Sequence, residues 1–125
     1  MSLSFVAPTG QGEFPTRERC HITELCNSPA IADVSVARAR VEVGVTTERH
    51  VLDCHETYII EQGTGRFEGG DGETVEVAAG WSIDIPAGTA QQITNTGVVD
   101  LVFLCICRQR FKPTDYHPTP EGANI

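Results

Sequence analysis

No apolar run in this 125-residue chain approaches the roughly 20 residues that a membrane-spanning helix needs. Basic charge is scarce as well: 9 Lys plus Arg stand against 17 Asp plus Glu, a formal net charge of −8. Such a chain repels polyanions, so nucleic acid and anionic membrane are not expected partners, and a small-molecule ligand is. Residues 1–8 lack the positive flank and long apolar core of a secretory signal, which makes the cytoplasm the expected location. The five cysteines are odd in number and no pair has the two-residue gap of a zinc knuckle, so they are expected to be reduced, buried thiols. Cys105 and Cys107 share one strand face about 6.5 Å apart along the chain, near the upper limit of disulfide geometry.

Helical periodicity is also missing. From Cys20 onward, short runs rich in Val, Ile, Thr and aromatics alternate with clusters of Gly, Pro, Asn and Asp, which is an all-β pattern. Strands are expected at 20–26, 34–43, 57–62, 65–68, 74–77, 82–85, 91–94 and 99–108. The run Gly69, Gly70, Asp71, Gly72 supplies a tight hairpin. Many short strands at this spacing make one sandwich or barrel, expected to cover residues 20–111. Residues 1–19 read as a flexible N-terminal arm and 112–125 as a Pro-containing C-terminal tail, neither expected to hold a regular strand.

Two glycine-framed stretches carry the functional signal. In the first, Gly44 is followed after five residues by His50, then Leu52, then Glu56, and after six more by Gly63. In the second, Gly80 is followed after five residues by Pro86, then Gly88, Gln91 and Asn95. Together they resemble the two motifs of the cupin superfamily, and the resemblance spans roughly residues 34–107. It implies a double-stranded β-helix, or jelly-roll, barrel. The family pattern places a second His where Leu52 stands and a third where Gln91 stands, so the scaffold spacing is kept and the ligand set is not.

Strand parity puts Glu56, Tyr58 and Ile60 on one face, and Gln91, Ile93 and Asn95 on another. If those faces look into the barrel, His50, Glu56 and Gln91 form the metal site the resemblance implies. Two firm donors and one weak amide oxygen would hold Mn, Fe, Ni or Zn loosely, or no metal at all. Cys54 shares the parity of Leu52 and Glu56, whereas His55 points outward. Without a metal, His50 and Glu56 are a candidate acid–base pair with Tyr58 as a further proton donor. Arg38 and Arg40 share one face of their strand, either in solvent or turned inward as a fork for a substrate carboxylate.

Two functional readings stay open. One is a metal-assisted enzyme of isomerase, lyase or dioxygenase type acting on a small polar or carboxylated metabolite. The other is a non-catalytic binding or sensing cupin with a degenerate, metal-free site. The continuous apolar run 101–107 needs cover on both faces. Either a second subunit provides it, as the homodimer implied by the resemblance, or the segment 111–116 does.

Overall fold

The computed structural model describes residues 2–120. It contains eleven strands: β1 (Phe14–Pro15), β2 (His21–Ser28), β3 (Ile31–Val41), β4 (His50–Leu52), β5 (His55–Gln62), β6 (Thr64–Gly69), β7 (Glu73–Ala78), β8 (Ser82–Ile85), β9 (Gln91–Asn95), β10 (Leu101–Arg108) and β11 (Tyr116–Pro118). They form two antiparallel sheets, ordered β1-β2-β3-β10-β5-β8 and β11-β4-β9-β6-β7. This is the jelly-roll arrangement. Among the described residues no helix is long and apolar enough to cross a membrane.

All eight expected strands are present, with ends shifted by a few residues. Three further strands are present: β4, which was not expected as a strand, and two that correct the reading of the tails. Tyr116–Pro118 pairs with β4, setting Tyr116 opposite Leu52 and Pro118 opposite His50. Phe14–Pro15 pairs with β2. Proline is tolerated in both because each lies on the outermost strand of its sheet, where a missing N–H breaks no inner ladder. Residues 121–125 of the expected tail, and Met1 of the expected arm, lie outside the described residues.

Alternation decides what faces the interior. Glu56, Tyr58 and Ile60 are buried on β5, as are Gln91, Ile93 and Asn95 on β9. On β3 the inward set includes Ser35, Ala39 and Val41. The core gathers Val41, Ile60, Phe67, Ile93, Leu101 and Phe103 between the sheets. Strand β10 is paired on both sides, with β3 and with β5. Its outward residues Val102, Leu104 and Ile106 are half-buried. The segment 111–116 does not cover them: Phe111 and Tyr116 pack instead against Leu52, Cys54 and Cys107, which face inward.

The motif residues with no ligand role are structural. Asn95 donates from Nδ2 to the carbonyls of Val41 and Val99, both at 2.9 Å, and its Oδ1 accepts from the Gly97 N–H at 2.9 Å. Gly88, at φ +77°, donates its N–H to the Leu52 carbonyl at 2.8 Å and so ties the turn after β8 to β4. Gly63 has φ +89°, and a Cβ there would sit 2.9 Å from the Asp100 carbonyl oxygen and 3.2 Å from the Leu101 Cα. Backbone atoms cannot step aside. Gly63→Ala is therefore expected to destabilise the fold by about 2 kcal/mol, read as a lower urea midpoint with an unchanged m-value.

Candidate active site

One end of the barrel opens into a cavity of about 510 Å³. Its wall is built from β2, β3, β4, β5 and β10, and two chain segments frame it. The first, before β2, contributes Phe14, Thr16, Arg17 and Glu18; the second, after β10, contributes Phe111, Pro113, Tyr116 and Pro118. Of the expected residues, His50, Glu56 and Tyr58 line this cavity, and Gln91 is not among its lining residues. His50 and Gln91 face each other across the β4–β9 pair, and Glu56 lies opposite Cys107 across β5–β10.

Each polar group has a distinct setting. His50 is buried, and its Nδ1 donates to the Glu48 carbonyl at 2.9 Å. A carbonyl can only accept, so the proton sits on Nδ1 and Nε2 is left to the cavity. The ring stacks on Tyr116 with centroids 4.5 Å apart. Tyr116 in turn donates its hydroxyl to Glu48 Oε1 at 2.6 Å, and Glu48 also holds Arg17 through two contacts of 3.1 Å. That hydroxyl, followed by Arg17, keeps the Glu48 carboxyl below its ordinary range.

Glu56 is the unusual group. It is 5% exposed, its Oε2 accepts a weak contact from the Cys107 thiol at 3.7 Å, and its Oε1 is buried with no hydrogen-bond partner. Burial pushes its pKa up to about 7, opposed in part by the Gln91 amide and the Cys107 thiol and reinforced by the charge of Glu18. Tyr58, expected as a proton donor, gives its hydroxyl to Gln91 Oε1. Burial raises its pKa far above the ordinary phenol value, so the hydroxyl stays protonated and holds the Gln91 amide in place.

Sequence reasoning missed Glu18 and Tyr116, because both lie in segments read as arm and tail. Burial raises the pKa of Glu18, with His50 opposing the shift. The available signal was weak: Tyr116 is the one Phe, Tyr or Trp in the Pro-containing tail, and Glu18 lies two residues before the first expected strand, 20–26.

Arg38 and Arg40 do not reach the cavity. They occupy the outer face of β3, where Arg38 pairs with Glu61 at 2.8 Å and Arg40 with Glu13 at 2.6 Å and Asp100 at 3.1 Å. The reason is register: Ala37 and Ala39 take the inward positions, so the arginines between them must face out. His55 points outward as expected and contacts Asp84 at 2.7 Å. Cys54 is buried beside Cys107, not among the cavity-lining groups.

The model of the Cupin domain family matches residues 37–107, more than half of the chain. The chain belongs to the cupin family. Solved structures agree on the fold. An uncharacterized conserved protein with a double-stranded β-helix domain from Klebsiella pneumoniae is 14% identical, with 93% of this chain and 91% of that one covered and a TM-score of 0.70. A variant of Streptomyces Pac13 with uridine is 17% identical, with 95% and 92% covered and a TM-score of 0.76. Oxalate decarboxylase from Bacillus subtilis is 16% identical, with 94% of this cupin but 33% of that chain covered and a TM-score of 0.79. A comparison with curated proteins found no match.

The donors of this cupin do not fit a resident transition metal. Leu52 is buried where the family's second His would stand, and the Gln91 oxygen is taken by Tyr58. Burial drives the Cys107 thiol far above its ordinary range and Cys20 to about 12. Among the described residues no three His, Cys, Asp or Glu side chains converge in a way that could hold a metal ion. His50 and Glu56 remain as two firm donors, short of the three protein ligands that a catalytic zinc site uses.

Proposed function

We propose that this cupin binds a small organic molecule in its barrel and exchanges a proton with it through Glu56, without a resident metal. The observation that carries this reading is Glu56, an almost wholly buried carboxyl placed in the wall of the cavity. The carboxyl also titrates near neutrality, so both of its protonation states are available to catalysis. Gln91, pinned by Tyr58, is the positioning residue behind it. His50 Nε2 supplies a second basic atom in the same cavity.

The reaction class this arrangement serves is proton transfer leading to isomerisation or elimination. Pac13, a barrel of similar length to this one, is described as a nucleoside dehydratase. Loss of water from a polar substrate is one reaction that an acid–base carboxyl promotes.

The test is a metabolite thermal-shift screen with EDTA present, followed by NMR of each hit in deuterated solvent. The expected result is a hit that binds despite the chelator and acquires solvent deuterium with wild type but not with Glu56→Gln. A hit that needs added metal, or one handled equally by Glu56→Gln, contradicts the proposal. Binding that depends on Glu56 without deuterium uptake marks a binding module instead of an enzyme.

A further inference from the structure

The charges around the cavity are unequal. Glu18, Glu24 and Glu56 line it, against Arg17 and His50. Arg17 is already committed to Glu48, and its side chain is 68% exposed. His50 has its Nδ1 proton on a backbone carbonyl and one ring face covered by Tyr116. The two arginines considered as carboxylate forks are held outside by acidic partners. A carboxylated ligand would therefore meet one buried acid and two half-buried ones, with Arg17, the guanidinium among the lining residues, already paired.

The rest of the wall is aromatic and aliphatic. Phe14, Tyr58, Phe103, Phe111 and Tyr116 line the same space as the acids. Aromatic faces carry negative electrostatic potential and attract desolvated cations, and carboxylates beside them add to the attraction. Glu56 sits almost wholly buried in this wall, with a weak thiol contact from Cys107 to its Oε2.

From this we infer that the ligand is an organic cation: an ammonium or amidinium group on a compact apolar or aromatic body, its nitrogen directed at Glu18 and Glu56 and its body against the rings. The inference rests on the proposed ligand-binding role of the barrel and specifies the ligand's charge.

Three probes of matched shape separate charge from bulk: benzylamine, benzyl alcohol and benzoate. Their affinities are measured by calorimetry at pH 8, where the amine is cationic and benzoate anionic. Benzylamine is expected to bind about tenfold more tightly than benzyl alcohol, with benzoate weakest. Its affinity should fall with added salt while that of benzyl alcohol holds. Glu18→Gln should cut benzylamine binding about fivefold and leave benzyl alcohol unchanged.

Benzyl alcohol or benzoate binding as tightly as benzylamine overturns the inference, as does an absence of binding by all three. The wild-type ranking decides even if Glu18→Gln fails to fold. A preference for benzyl alcohol would remove the cation and leave the Glu56 proton-exchange reading standing. That reading falls separately, on the deuterium experiment.

Discussion

Raising the pH from 5 to 8.5 is expected to destabilise the wild-type protein by about 3 kcal/mol, and Glu56→Gln is expected to abolish most of that slope. The Glu56 carboxyl has an ordinary value of 4.5 and is raised to about 7 in the fold, chiefly by burial. Between those two values the folded state binds more protons than the unfolded state. Stability from this group is fully present below pH 4.5 and is lost as pH rises through about 7. Glu18 is shifted in the same direction by its own burial and adds to the slope. Asp84 and Glu13 are lowered, so their stabilising contributions are lost below this window, in acid. Urea unfolding at half-unit pH steps reads the effect directly. At pH 8.5 Glu56→Gln should be the more stable protein, because it removes a buried charge and keeps the shape; equal pH slopes in the two proteins would contradict the burial argument.

The double substitution Leu52→His with Gln91→His is expected to create a tight metal site where the native protein has a poor one. His50 and position 91 are directly opposed across β4–β9, and Leu52 lies two residues from His50 on the same inward face. Two imidazoles added to His50 and Glu56 complete a four-donor set. Affinity for Zn or Ni should rise by about a hundredfold, roughly 2.7 kcal/mol, measured by competition with a chromogenic chelator. The single Gln91→His change should gain less, because Leu52 still fills the fourth position. No gain in the double variant would mean that these positions do not converge. A fall in stability is also expected, since Gln91 is a fully buried side chain and Tyr58 loses its acceptor.

The legible part of this molecule was the part governed by short-range rules. Alternation alone placed Glu56, Tyr58 and Ile60 on one face, because a strand has no other way to arrange them. The resemblance grouped His50 with Gln91, and the structure adds that the two are paired across β4–β9. Arg38 and Arg40 remained ambiguous until the register of β3 was known, since parity says which residues share a face but not which face is inside. Tyr116 and Glu18 were not legible. Their positions depend on long-range contacts, Asp53 N–H to the Asp115 carbonyl and Glu48 N–H to the Glu18 carbonyl, that no local pattern encodes. The resemblance supplied the expectation of a weakly held metal or none, and the two gaps behind it were legible in the sequence: Leu52 offers no donor, and what the structure adds is that the Gln91 oxygen accepts from Tyr58.

The most direct measurement of the central claim is the protonation state of Glu56 itself. Infrared difference spectra between wild type and Glu56→Gln, recorded from pH 5 to 9 in EDTA, isolate its carboxyl stretch. A protonated C=O band that disappears with a midpoint near pH 7, and that shifts in frequency when a pocket ligand binds, is the expected result. A carboxylate already ionised at pH 5, or a midpoint that moves on adding divalent metal but not ligand, would contradict a metal-independent proton-exchanging site.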